Sequence, residues 1–383
     1  MANINLQINR GRLLSELETI GNFIVYNDVN INRYNINGFL NFNASSLKLF
    51  GMAIDPNILL KYRPDIFNDF KKRQIREIDN FYEFLINNRE LLLELFKNAE
   101  DFFVNDISFQ QFPYYDCFKN YNEQSFKDLV LNFYSQYSDK YYNIVKKYFD
   151  ENRIQTGYDT KDLAAMYIHS KLTSSGYIFL KDTKADSRTA ASLVHELGHA
   201  ISAETFVFPQ QKNLGIFEDP YSEIPSTCFE SLFTQQLIDK KIDYTGGLVL
   251  MNQLYTQIYN SSIVNSSLLT MSEYAYDEDG KLYYSIVDDN DEIIGIDNYP
   301  IRDSLIYGLG HIVAIYFDKL DKKDRIQFLK AYNDIITSRK EYSFEELIKR
   351  LGISPNDFVE LKYIKENIKD NDIKLRKRFN YHS

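Results

Sequence analysis

Apolar positions recur at helical spacing through most of this chain. Between Ile66 and Phe103, the residues Ile75, Ile78, Phe81, Phe84, Leu85, Leu91, Leu92, Leu93, Leu95 and Phe96 alternate with charged positions, as in paired amphipathic helices. From Leu129 to Phe149 the pattern continues with Tyr and Phe, so residues 1–150 read as an N-terminal helical region. Ser175-Gly176-Tyr177-Ile178-Phe179-Leu180 reads as a strand. After it, Asp186 or Ser187 can cap a helix running to Ile201, with Leu193, Leu197 and Ala200 as its apolar stripe. Gly198 sits inside that helix, where glycine costs about 1 kcal/mol relative to alanine. That cost implies a close approach by a neighbouring strand or helix.

Near 274–296 the period changes. Tyr274 to Tyr276 and Lys281 to Val287 flank Asp277-Glu278-Asp279-Gly280, a hairpin signal, and Ile293 to Ile296 adds a third short strand. Helices return at Ile312 to Leu320, Lys323 to Thr337 and Phe344 to Leu351, and Ser354-Pro355-Asn356-Asp357 opens a last one. The expected fold is mainly α, with a small β-sheet next to the helix at 187–201 and a β-hairpin insertion near 274–296.

Composition narrows the function classes. A chain of 383 residues has ample material for a core, and its formal net charge of -10 disfavours nucleic acid and anionic membranes as partners. Two cysteines, Cys117 and Cys228, make no disulfide framework, which fits a reduced, cytoplasmic setting. Met1-Ala2-Asn3-Ile4-Asn5-Leu6 lacks a basic region followed by an apolar core, and no apolar run approaches membrane-spanning length. Tyr and Phe number 30 and 28, but the abundance of Asn, Ile, Lys and Tyr points to coding bias rather than to a binding surface. Oligomeric state is left open.

The chemistry lies in His195-Glu196-Leu197-Gly198-His199. Two histidines four residues apart on a helix project from one face, so both imidazoles can reach one metal ion. Glu196 leans toward the open coordination position, where it can take a proton from metal-activated water and return it to a leaving amine. Imidazole ligands with one open position favour zinc, a single Zn2+ per chain. A third histidine six residues beyond the second is absent, since position 205 is Thr205. Carboxylates that could complete the set are Glu204, Glu218, Asp219, Glu223 and Glu230. Glu204 is too close on the same helix and points away, whereas Glu218 and Asp219 cannot be dismissed on spacing.

His-Glu-Leu-Gly-His-Ala at 195–200, followed by Glu-Ile-Pro-Ser-Thr at 223–227 and then Glu230, resembles the thimet oligopeptidase and oligoendopeptidase F family of zinc peptidases. The resemblance implies Glu223 as third zinc ligand, with Glu230 holding a ligand histidine through its other ring N–H. A carboxylate there fixes the tautomer and raises basicity. The strand at 175–180 is similar to the family's Ser-Gly strand, which pairs with extended substrate. That makes Gly176 and Tyr177 substrate-binding candidates, against the alternative of an ordinary core strand. Ile306-Tyr307-Gly308-Leu309-Gly310-His311 resembles the family's Tyr-Ala-Leu-Gly helix, which implies Tyr307 as a donor to the developing oxyanion. His311, one turn on, is a further substrate-binding candidate. The preceding aromatic residues of the family are replaced here by Arg302, Asp303 and Ser304. The chain is also shorter than the usual member on its N-terminal side, so substrate selection built there in relatives is not carried over.

These readings combine as a zinc-dependent endopeptidase acting on short unfolded peptides, with a catalytic region at 151–383 packed against 1–150. Two alternatives stand beside it. One is a leader or maturation peptidase dedicated to one partner peptide, and the other a non-catalytic peptide-binding protein that keeps zinc for structure.

Overall fold

The computed structural model describes residues 84, 87–105, 117–157, 164–170, 175–207, 221–276, 282–287, 293–295, 299–337, 344–350 and 352–379. Helix α1 covers 87–105. Helices α2 (Glu123–Ser135) and α3 (Asp139–Asp150) start on Asn122 and Ser138, whose side chains accept the backbone N–H of Ser125 and Tyr141. Then come strands β1 (Ile154–Thr156), β2 (Ala165–Ser170) and β3 (Ser175–Leu180), in the sheet order β1-β3-β2. The central strand β3 runs parallel to β1 and antiparallel to β2. It feeds α4 (Ser187–Ser202), and Asp186 caps that helix by accepting the Thr189 N–H at 2.9 Å. A π-helical turn, Ala203–Val207, ends it.

Helices α5 (Ile224–Asp239) and α6 (Tyr244–Met271) follow. A second antiparallel sheet comes next, with order β4 (Ser272–Tyr276), β5 (Leu282–Val287) and β6 (Ile293–Gly295). It realises the hairpin expected near 274–296, and its connecting residues 277–281 lie outside the described ones. Helices α7 (Tyr299–Lys319), α8 (Lys322–Thr337), α9 (Phe344–Arg350), α10 (Pro355–Val359) and α11 (Lys362–Phe379) complete the chain. The molecule is mainly helical with a small sheet beside α4, as the apolar pattern predicts.

Two boundaries differ from the periodicity. The helix expected from Ile312 begins at Tyr299, because Pro300 needs no N–H donor in a first turn. The last helix is two: Leu361 takes φ 56°, a left-handed backbone that ends α10 before α11 starts.

Helix α4 is buried on nearly every side, with Leu193, Val194, Leu197 and Ala200 all 0 % exposed. It packs against the sheet on one side and α5 on another, and three contacts fix it. Gly198 meets the start of α5 so closely that a Cβ there would lie 2.6 Å from Ser226 Cα and 3.2 Å from the Pro225 carbonyl oxygen. The Tyr134 hydroxyl of α2 donates to the Val194 carbonyl at 2.7 Å. Asp243 ties the first residue of α4 to the first turn of α6, accepting from the Ser187 hydroxyl, the Gly246 N–H at 3.0 Å and the Lys119 N–H at 2.8 Å.

Helix α7 crosses α5 at Gly310, where a Cβ would lie 3.0 Å from Thr227 Oγ1 and 3.2 Å from Glu223 Cβ. Farther along, the Ser231 hydroxyl of α5 donates to the buried Asp318 carboxylate of α7, whose other oxygen has no hydrogen-bond partner. Burial pushes the Asp318 carboxyl up to about 7, against the opposing pull of Ser231 and Arg325.

Gly198→Ala is expected to destabilise the fold by about 1–3 kcal/mol in urea denaturation despite alanine's better helix propensity, since the added methyl meets backbone. A variant as stable as the parent would mean that α4 and α5 do not cross there. The Asp318 carboxyl has a raised folded pKa, so its contribution to stability falls as pH rises from its unfolded value near 4 to about 7. Asp318→Asn should therefore raise Tm relative to the parent more at pH 8 than at pH 5. Equal differences at the two pH values would contradict that environment.

Candidate metal centre

The start of α5 explains how one carboxylate reaches two imidazoles. Glu223 occupies the N-cap position with φ -82° and ψ -10°, and its side chain makes no capping bond. Pro225 sits in the first turn, where a missing N–H leaves nothing unsatisfied. The Ser226 and Thr227 hydroxyls donate instead to the Glu223 backbone carbonyl, at 2.8 and 2.7 Å, and Ser226 also donates to Glu223 Oε2 at 3.1 Å. The carboxylate is thereby held facing α4.

There, Glu223 Oε2 lies 3.1 Å from His195 Nε2 and 3.3 Å from His199 Nε2. Both imidazoles and the carboxylate are buried, and one ligand atom from each lies within 4.8 Å of the others. Tetrahedral zinc with bonds of about 2.0–2.1 Å separates its ligand atoms by roughly 3.3–3.4 Å, so this spacing fits the ion. His195 Nδ1 is 2.9 Å from Glu230 Oε2, the contact expected of a carboxylate that orients a ligand histidine. With Nδ1 as donor, Nε2 presents a lone pair toward the Glu223 oxygen. Such a pair repels unless a proton or a cation lies between. The donor set, two imidazoles and one carboxylate with a supporting acid, could therefore hold a metal ion.

Burial alone would lower the basicity of His195, but its bonds to Glu223 and Glu230 outweigh that and hold its pKa well above the usual value. Burial would likewise raise Glu223, yet His199 and His195 bring its carboxyl far below the ordinary carboxylate range. Glu196, 7 % exposed, is pushed up by burial, against the neighbouring histidines.

Other residues named from the sequence divide. Tyr307 stands at the site, its ring 6.2 Å from that of His195 and inclined by 24°. His311 lies one turn further on α7, 2 % exposed and stacked on Tyr307 at 6.4 Å. Burial brings its imidazole down to about 4. Glu204 turns away, toward Lys147 at 3.5 Å. Glu218 and Asp219 lie outside the described residues, as do the side chains of Arg302 and Asp303.

Gly176 and Tyr177 require a correction. They are on the central strand β3, whose far side is taken up by β2. On the near side, the Gly176 N–H donates to the Tyr148 hydroxyl at 3.0 Å, and the Gly176 carbonyl accepts from Arg153 at 3.3 Å. Tyr177 is buried beneath the Arg153 guanidinium. Backbone groups already bonded on both sides cannot pair with a peptide, so these two residues are core. Tyr167 of β2 went unnoticed in the sequence: its ring lies parallel to that of His199, 10° apart in plane at 6.4 Å. One tyrosine among 30 carries no signal for such a place.

No family model matches the chain, and no curated protein matches it by sequence. Among solved structures, a crystal structure assigned as an oligoendopeptidase F from Bacillus anthracis strain Ames is similar over 88% of this chain and 65% of its own, at 16% identity and TM-score 0.50. A structure assigned as a peptidase from Chlamydophila abortus aligns over 79% of this chain and 55% of its own, at 15% identity and TM-score 0.46. PZ peptidase A, solved with an inhibitor, aligns over 83% and 68%, at 12% identity and TM-score 0.44. The chain thus spans less than two thirds of the Bacillus protein's length. Helices α4, α5 and α7 and the small sheet belong to a mainly helical chain with the fold of that oligoendopeptidase F structure.

Proposed function

We propose that this chain is a zinc-dependent endopeptidase of the oligoendopeptidase F and thimet oligopeptidase type, acting on short unfolded peptides. The observation that carries the reading is the convergence of the His195 and His199 Nε2 atoms on one Glu223 oxygen, with Glu196 buried beside them. A purely structural metal site has no use for this additional carboxylate.

His195, His199 and Glu223 would hold the ion, which supplies Lewis acidity to water and to the scissile carbonyl. Glu196 takes the proton from the attacking water and hands it to the departing amine. The hydroxyl of Tyr307 donates to the oxygen that gains negative charge, and Glu230 keeps the His195 ring in orientation. Substrate runs along β2, which among the described residues is the strand at the edge of the sheet on the side away from β1, where backbone groups of Ala165–Ser170 can pair with an extended peptide. Backbone pairing selects for extended chains, hence unfolded peptides rather than folded proteins. The described parts of the regions 1–150 and 151–383 act as one packed unit, a reading supported by the bonds from Tyr134 to Val194 and from Lys119 to Asp243.

Glu196→Gln should retain one zinc per chain and the parent's melting temperature while losing about 10²–10⁴-fold in turnover of a fluorogenic peptide. Cleavage at the parent's rate would remove Glu196 from the mechanism. Glu223→Ala should lower zinc content, measured by metal analysis after dialysis, much more than Glu218→Ala. The opposite ranking would transfer the third ligand to Glu218.

A further inference from the structure

We propose that His311 is a positioning residue for the His195–Glu230 pair, an inference that rests on the metal site proposed above. His311 is 2 % exposed, and neither of its ring nitrogens has a hydrogen-bond partner among the described residues. Buried imidazoles are ordinarily bonded, because an unpaired polar atom forfeits its hydration without return.

The surroundings of His311 show which group can use it. Its neighbour Gly310 lies against Thr227 and Glu223 at the crossing of α7 and α5. One turn back, Tyr307 stacks on both His311 and His195. Among the nearby carboxylates, Glu230 acts on His311 most strongly. Glu230 in turn accepts one hydrogen bond, from His195 Nδ1 at 2.9 Å. An ionised carboxylate can accept several more, and a neutral imidazole carries one N–H to give. The two needs are complementary. His311 donates to Glu230 through one water, and Glu230 so held keeps His195 with Nδ1 protonated and Nε2 turned to the metal. His311 touches no reacting atom in this scheme.

The test is the zinc affinity of the full chain, by competition with a chromophoric chelator, for the parent, H311F, H311Q, E230A and E230A/H311F. H311F keeps a ring against Tyr307 without a donor, whereas H311Q keeps an N–H. Expected are about a tenfold weaker affinity for H311F, recovery to within about threefold of the parent in H311Q, and no further loss when H311F is added to E230A. Should circular dichroism show H311F unfolded, H311L takes its role in the same comparison. Parental affinity in the donor-free variant, or the same loss with and without Glu230, overturns the inference and leaves the peptidase reading standing. A parent chain that fails to bind zinc overturns the peptidase reading itself.

Discussion

The crossing of α4 and α5 at Gly198 is the constraint on which the rest of the site depends. Two helices with side chains at their contact keep their axes about 8–10 Å apart, and a glycine allows closer approach. Here backbone meets backbone, with Ser226 and the Pro225 carbonyl filling the space where a side chain would stand. That approach brings the first residue before α5, Glu223, within hydrogen-bonding range of imidazoles projecting from α4. A second glycine, Gly310, does the same for α7 against α5, bringing Tyr307 to the far side of His195. Three helices are thus held by two small residues around one group of donor atoms.

Such closeness concentrates charge in a buried place. His195, Glu196, His199 and Glu223 are all less than a tenth exposed, and isolated charges there would be costly. They persist as a set: Glu223 faces both histidines, Glu230 supports His195 from its other nitrogen, and Ser226 bonds the Glu223 carboxylate. Removing one member leaves its partner uncompensated, which costs more than the pair contributes when whole. The apolar shell of Leu193, Leu197 and Ala200 surrounds the cluster and supplies stability around it. Among the described residues, His195, Glu196, His199 and Glu223 each stand on a helix or at a helix start.

Legibility followed burial. Amphipathic helices with one wet face, such as α3 and α8, show their period, and the strand at 175–180 stands out by its apolar run. The 28-residue α6 does not, because it is buried on several sides and carries Asn252, Ser261, Ser262, Asn265 and Ser266 among its covered positions. A helix with polar residues inside and few charges outside loses the contrast that periodicity measures. Strand β1 has only three residues, and β2 opens on Ala165 and closes on His169 and Ser170, without the bulky apolar end of β3. The strand read as a substrate platform proved central because strand order is not encoded locally.

By itself the sequence determined the local chemistry: a capped helix bearing two histidines and a glutamate, a glycine that needed a close neighbour, and a proline-started helix behind Glu223. These are properties of spacing and of backbone freedom within a few turns. Spacing left several carboxylates open and only the resemblance singled out Glu223, whereas tertiary structure alone decided that Gly176 was closed by Tyr148 and Arg153 and that Tyr167 and His311 flank the cluster. Those contacts join residues far apart in the chain. Their geometry is set by how buried faces pack, and a linear pattern of apolar and polar positions records that a face is buried without recording what covers it.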